Sequence, residues 1–407
     1  MVGVAADDVQ AWDAELTALT DGLGWLFARP EPKRTFGLVV RAMLADLPKK
    51  NAWGIAEWAG LANPKSIQYL LAEGSWDADL LRDVIRGYAA AGLAAEEAAL
   101  VLDDTQVIKK GDKSVGVAYQ HCGATGQVEN CQAMVMLTYA SIHGHAFVDR
   151  ELYLPQSWID DDLRRREAGV PAGQQARTKP QLGIDLLARA IGDERVHWRW
   201  AVADAGYGRD PGLRAWCHQR AVPYVFGVPV DLPLIGVRGE ALRPDTLLAA
   251  TSDGVWQQRS FGYGSKGERR YDIAVHRVTV KGQQPAAGSE HLLLIRRSLS
   301  AKVTKTHPDG HYEVAYLLVH APAGTPLHRI LHAWGLRWAV EDDNKIGKDQ
   351  LGLGDYQVRK WVSWYRHVTI SMLAHAFLAV THADLGKDHH PDHPDPAPER
   401  PAATGRS

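Results

Sequence analysis

A chain of 407 residues is too long for one compact core, since single hydrophobic cores stop growing at roughly 250–300 residues, so two or three domains are expected. Its composition, 45% hydrophobic and 23% charged, is that of an average soluble globular protein. It lacks an apolar run near the roughly 20 residues that cross a membrane, a secretory leader before Val9, and, with only Cys122, Cys131 and Cys217, a disulfide framework or a four-cysteine zinc site. A net charge of −2 gives no global sign of a polyanion partner, and the cytoplasm is the expected compartment.

Residues 1–95 read as helical. Val9 to Phe27 is amphipathic, and Asn51 to Leu61 with Lys65 to Glu73 parse as helix, turn, helix around Asn63-Pro64. The second helix carries Lys65, Ser66, Gln68 and Tyr69 near its start, types able to meet phosphates or base edges, which makes the segment a candidate DNA-binding domain. A plain helical bundle would give the same pattern. Ala99-Leu-Val-Leu-Asp103 is then a short apolar run ending in acid, the mark of a buried strand. Three antiparallel strands are expected after it, at Ser114–Ala118, Cys131–Ala140, and Ala146–Val148 with Glu151–Pro155, separated by glycine turns.

Asp161 to Ile191 is helical, with Pro155 and Pro171 as punctuation, and leads into Trp198-Arg-Trp-Ala-Val-Ala-Asp204, a second apolar strand ending in acid. A helix over Arg209–Arg220 and a strand over Val222–Val228 complete an α/β unit over residues 96–230. Residues 231–324 read as a mainly β insertion. From Gln257 to Thr306 it holds ten basic residues, among them Lys266, Arg269, Arg270, Arg296, Arg297 and Lys305, against three acids, an excess of seven. Such an excess fits a polyanion-binding surface, although a solvated sheet face looks similar. Helix periodicity returns over residues 325–383, interrupted at Gly352-Leu-Gly354, and the Pro- and His-rich residues 384–407 are expected to be disordered.

Three acids stand out: Asp103 in Asp103-Asp104-Thr105, Asp204 in Ala203-Asp204-Ala-Gly-Tyr-Gly208, and Glu341 in Arg337-Trp338-Ala-Val-Glu341. Each alone could be a turn former or helix cap. Two that end buried strands and one on a helix can converge, and oxygen-only ligands favour Mg²⁺ or Mn²⁺. A pair of such ions roughly 4 Å apart drives in-line phosphodiester displacement. Carboxylates alone also fit proton-transfer pairs such as those of glycosidases, but the basic surroundings favour phosphate. Asp104 competes with Asp103, and only one of two successive strand residues can face the site. Arg337, Glu341 and Lys348 share one helix face, where an exposed Arg337–Glu341 ion pair is the plain structural alternative. Gly262-Tyr-Gly264-Ser-Lys266 reads as a hairpin turn rather than a phosphate loop, and His121, Cys122 and Cys131 as core packing.

The segment Trp334-Gly-Leu-Arg337-Trp-Ala-Val-Glu341-Asp-Asp-Asn-Lys-Ile-Gly-Lys348 resembles the Y-x-x-R-x-x-x-E-x-x-x-x-x-x-K signature of insertion-sequence transposases with an RNase H-like DDE domain. Trp334 replaces the signature Tyr. Asp103-Asp-Thr105 and Ala203-Asp204-Ala-Gly-Tyr-Gly208 resemble the family's first and second acid elements, and Leu152–Trp158 and Tyr356–Trp361 its linking segments. The resemblance implies an RNase H-like mixed sheet with flanking helices, in which residues 96–230 and 325–383 form one catalytic domain around the β insertion. It also implies two Mg²⁺ or Mn²⁺ ions on Asp103, Asp204 and Glu341, with Arg337 and Lys348 on DNA phosphates and Trp334 and Trp338 as aromatic DNA contacts. Arg269, Arg270, Arg296 and Arg297 of the insertion are expected on transposon-end DNA. The partners implied are the terminal inverted repeats and target DNA, the assembly a homodimer, and no membrane is involved. A nuclease without mobility and a DNA-binding protein whose catalysis has lapsed are the competing readings. Asp342-Asp343-Asn344 departs from relatives that carry a bulky residue there to seat the helix.

Overall fold

The computed structural model describes residues 6–264, 267–303 and 309–389; Lys266, Lys305 and the tail from residue 390 lie outside the described residues. Five helices come first: α1 (Ala6–Gly22), α2 (Pro30–Leu44), α3 (Ala52–Trp58), α4 (Lys65–Ala72) and α5 (Ala78–Gly92). The side-chain oxygen of Asn51 starts α3 by accepting from the backbone N–H groups of Trp53 and Gly54, both at 3.0 Å, which satisfies donors that a helix start leaves open. Leu81, Ile85 and Ala89 recur at helical spacing on α5 and are fully buried.

The strands that follow are β1 (Ala99–Ile108), β2 (Ala118–Cys122), β3 (Gln127–Ser141), β4 (Gly144–Leu152), β5 (Trp200–Ala203) and β6 (Tyr224–Val228). Those of the 231–324 region are β7 (Leu234–Gly236), β8 (Ala241–Leu242), β9 (Gln257–Gly264), β10 (Gly267–Val280), β11 (Ser289–Arg297) and β12 (Val314–Pro322). One correction concerns Ser114–Val117, which turns instead of extending. Gly116 has φ 76°, a left-handed conformation no strand can hold, and the strand begins only at Ala118.

All twelve strands of the described residues join one sheet in the order β2-β3-β1-β5-β6-β12-β11-β10-β7-β8, with β4 also on β3 and β9 on β10. β1 is antiparallel to β3 and parallel to β5, which is parallel to β6. This mixed α/β architecture is RNase H-like. Every residue of β5 and β6 is buried, as parallel strands covered on both faces require. The 231–324 strands extend the same sheet, because β12 lies antiparallel on β6.

Helices α6 (Gln156–Ile159), α7 (Asp162–Ala168), α8 (Lys179–Ile191), α9 (Ala205–Gly208), α10 (Pro211–Gln219), α11 (Pro244–Ala250), α12 (Leu327–Gly335), α13 (Ala339–Asp349) and α14 (Trp361–His389) flank the sheet. Alternation along β1 assigns its two faces. Leu100 and Leu102 join the core that holds Leu182 and Leu186 of α8, while Ala99 and Val101 join the core that holds Ile330 of α12 and Val340 of α13. Over Trp361–Leu385, α14 is long and apolar enough to cross a membrane, which corrects the expectation that no such segment exists. Most of it is buried inside the fold, where it packs against α5, α4, α2 and β4.

Candidate functional site

Asp103 lies within β1, just past the point where its pairing with β5 stops, so the strand runs beyond the acid that the sequence places at its end, and Asp204 directly follows β5. In the parallel register Leu102 of β1 sits beside Ala203 of β5, so Asp103 and Asp204 follow at the same level of the two strands, Asp103 still paired with β3. Asp103 follows Val101 on the face covered by α12 and α13. Asp104 turns to the other face, where it accepts from Lys179 of α8 at 2.6 Å and from the Gln106 amide. The β1 alternation thus gives the two adjacent aspartates different surroundings, and only Asp103 looks toward the helix that carries Glu341.

Burial pushes the Asp103 carboxyl up to about 7, helped by the charges of Asp204 and Asp104. The backbone N–H of Asp104, which donates to it at 2.7 Å, and the Arg337 guanidinium pull the other way. Asp204 caps α9, accepting from the backbone N–H groups of Gly206 at 2.9 Å and Tyr207 at 3.3 Å. The helix stays tight against β6 because Gly208 has no side chain: a Cβ there would lie 1.9 Å from the carbonyl oxygen of Gly227.

Glu341 lies in the first turn of α13, half exposed, with its carboxylate bonded to Arg337 at 2.9 Å one turn earlier. Lys348, two turns further on, is partly buried. Its ammonium is pushed down by burial and held up by the charges of Cys122, Asp349, Asp103 and Asp104. The structure therefore brings Asp103, Asp204, Arg337 and Lys348 into one electrostatic neighbourhood, and it leaves Glu341 on Arg337. Among the described residues no group of three or more His, Cys, Asp or Glu is arranged to hold a metal ion.

The aromatic and basic candidates sit differently from one another. Trp334 is 5% exposed and meets Trp338 edge-on at 6.4 Å. Trp338 is only partly buried, and guanidiniums surround it: Arg269 at 4.6 Å from the ring centre, Arg337 at 5.2 Å and Arg296 at 5.8 Å. Arg296 also lies over Tyr271 at 4.1 Å, and burial pulls its guanidinium down. Arg270 pairs with Glu268 at 2.6 Å and Arg297 with Asp272 at 3.2 Å. The three acids between Gln257 and Thr306 are thus spent on arginines of the same stretch, Glu290 being paired with Arg277 at 2.7 Å.

One group that seats α13 is not evident from sequence. Asp343, fully buried, accepts from Thr138 of β3 at 2.9 Å and bonds His145 of β4 at 2.5 Å, with His375 of α14 at 3.2 Å. Burial disfavours its charge, but the two imidazoles hold its carboxyl well below the usual range. Asp343 lies two residues past Glu341, on the opposite side of the helix. Where relatives would place bulk, this chain seats the helix with a polar lock. Asp343→Ala is expected to lower stability by about 2–4 kcal/mol in urea unfolding, and Asp343→Asn by less, because the amide still accepts from Thr138. Equal stability of all three proteins would refute the lock.

Comparison with known proteins gives the family. Residues 23–244 match the family described as DDE superfamily endonuclease, a span that holds Asp103 and Asp204 and stops short of Glu341. A probable transposase for insertion sequence element IS701 from Microchaete diplosiphon is 26% identical over 166 residues, 40% of this chain and 40% of the relative. The aligned part thus covers under half of that protein. With more than half of its length matched, the chain belongs to the DDE superfamily of endonucleases.

Proposed function

We propose that the protein is an insertion-sequence DNA transposase that cleaves transposon ends and transfers them to target DNA in a divalent-metal-dependent reaction. The observation that carries this reading is the placing of Asp103 and Asp204 side by side where the parallel pairing of β1 and β5 stops, with Arg337 and Lys348 in their electrostatic surroundings. The two carboxylates fit hard cations: their donors are oxygen only, and burial, helped by the charge of Asp204, raises Asp103 to about 7. Asp103, Asp204 and Glu341 would hold two Mg²⁺ or Mn²⁺ ions. When bound, these would supply activation of the attacking oxygen and stabilisation of the leaving one.

The chain's own residues do the rest. Arg337 and Lys348 bind phosphates of the transferred strand. A phosphate that draws Arg337 away releases the Glu341 carboxylate, so the third ligand becomes available only when DNA is present. Trp338, with Arg269 beside it, offers a ring face to a base. The work of the β region's arginines is phosphate contact at the transposon end, and two copies of the chain synapse two ends in the cytoplasm.

The test is cleavage of duplexes carrying the ends of the encoding element, with Mg²⁺ or Mn²⁺, by wild type and Glu341→Gln. Nicking at the ends that the substitution reduces by about 10³-fold or more, with binding retained, is the expected result. The Arg337–Glu341 pair favours a second reading, a DNA-binding descendant whose catalysis has lapsed. Binding without metal-dependent nicking in either protein would support that one.

A further inference from the structure

The loop before α14 and the α3–α4 pair share a notch that the catalytic reading leaves unused. A cavity of about 370 Å³ is lined by Asn51 and Trp53 of the α3 start, Gln68 of α4, and Arg359 and Lys360 of the loop, and no carboxylate is among its lining residues. Three aromatic side chains stand out of these two short helices: Trp53 is 63% exposed, Trp58 44% and Tyr69 42%. Large exposed aromatics beside cations are unusual on a surface that meets only water. Lys65 and Gln68 are exposed on α4, and Arg359 and Lys360 on the loop. The Arg359 side chain has no hydrogen-bond or ion-pair partner among the described residues. The Lys360 ammonium is held only by the backbone carbonyl of Glu167.

The loop's position ties this notch to the acids. Val115 donates to the Arg359 carbonyl at 3.1 Å, and the Lys109 ammonium donates to the Tyr356 carbonyl at 2.8 Å. The loop therefore lies along the chain just past the end of β1. Lys109 is six residues beyond Asp103, about 20 Å at roughly 3.3 Å per strand residue. That is about six base pairs of a duplex.

We infer that Arg359 and Lys360, together with Lys65, Gln68 and Trp53, form a second grip on the backbone of duplex DNA, about six base pairs from the cleavage point. This rests on the reading above that the chain binds DNA, and it assigns a surface which that reading does not use. Arg359 and Lys360 neutralise phosphates, while Gln68 and Trp53 bear on the sugar and base edges beside them. The grip couples the α3–α4 pair to the catalytic sheet through one segment of DNA. A neighbouring cavity, lined by Lys113, Arg164, Arg359 and Lys360 but also by Asp112, Asp161 and Glu167, carries both signs and is left out of the grip.

The experiment is a salt titration of binding to a fluorescent duplex of about 30 base pairs carrying an end of the element, with the full-length protein. Wild type is compared with the double variant Arg359→Gln and Lys360→Gln, with Trp53→Ala, and with Arg220→Gln at the exposed end of α10 as control. The double variant is expected to bind about 10-fold more weakly or worse at physiological salt, with the slope of log affinity against log salt smaller by about 2. Trp53→Ala should weaken binding with the slope kept, and the control should match wild type. Circular dichroism confirms the fold of each. Wild-type affinity and slope in the double variant would overturn the inference while leaving the transposase reading standing. No binding of this duplex by wild type would overturn both, and tighter binding of an RNA duplex would reassign the grip to RNA.

Discussion

Replacing Asp149 with alanine is expected to cost about 3–5 kcal/mol of stability and to lower the melting temperature by roughly 5–15 °C. Asp149 is fully buried on β4. It takes Arg189 of α8 at 2.8 and 3.1 Å and Arg86 of α5 at 3.4 Å, with Arg82 at 3.7 Å. The surrounding network holds Arg82, Arg86, Arg150, Arg189 and Arg195 against Asp79, Asp83, Asp149, Glu151 and Asp193, five charges of each sign. Arg150 is as deeply buried as Asp149 and crosses to Asp79 at 2.8 Å. Removing the central carboxylate strands guanidiniums that cannot shed their charge, because an arginine does not deprotonate in a protein. The loss is therefore the penalty of unpaired buried charge, larger than the net worth of any one pair. α5 is held to β4 and α8 through these bonds, so the first five helices should loosen from the sheet first. Thermal melts with limited proteolysis near Leu93 test this. Asp149→Ala melting within about 2 °C of wild type would show that the cluster does not hold the helices in place.

What could be read in the sequence follows from what is local. Ala99–Asp103 and Trp200–Asp204 announce themselves because a strand buried on both faces must be a continuous apolar run, and an acid breaks that run at one residue; that β1 goes on past Asp103 to Ile108 is hidden by the polar residues which follow. The choice of Asp103 over Asp104 follows from alternation alone once α8 and α13 are known to cover opposite faces. The joining of the β region to the catalytic sheet could not be read, because Tyr224–Val228 looks the same whether its open edge meets solvent or Val314–Pro322. Asp343 reads as a mere departure from a motif because its Thr138 partner is 205 residues away. Asp149 in Ala146-Phe-Val-Asp-Arg150 carries a visible signal, two charges inside an apolar strand. Sequence cannot tell that both are buried or that helices α5 and α8 supply the counter-charges. The basic excess of residues 257–306 was legible as a count, but its geometry was not. Arg296 is turned onto Tyr271, and Arg270 and Arg297 are neutralised by Glu268 and Asp272.

Asp103→Asn is expected to stabilise the metal-free protein while removing its response to divalent ions. With the carboxyl raised from 3.8 to about 7 by burial, Asp204 and Asp104, the folded chain keeps a proton that the unfolded chain releases between about pH 4 and 7. The protein therefore binds more protons folded than unfolded in that window. As far as this group is concerned, stability is greatest below about pH 4 and falls as the pH rises, with the full penalty reached above about pH 7. Asparagine carries no charge at any pH, so the variant should melt higher than wild type at about pH 8 by an amount on the order of 2–4 kcal/mol, and the difference should close toward about pH 4. Mg²⁺ or Mn²⁺ should reverse the order at high pH, since an ion that binds only the folded wild type adds RT ln(1 + [ion]/Kd) and the amide is a poor ligand. Melts across pH, with and without ions, read both effects without any assay of cleavage. A variant no more stable than wild type at about pH 8 would mean that Asp103 is not held against its own charge. The case for its being one of the metal-ready acids would then rest on strand geometry alone.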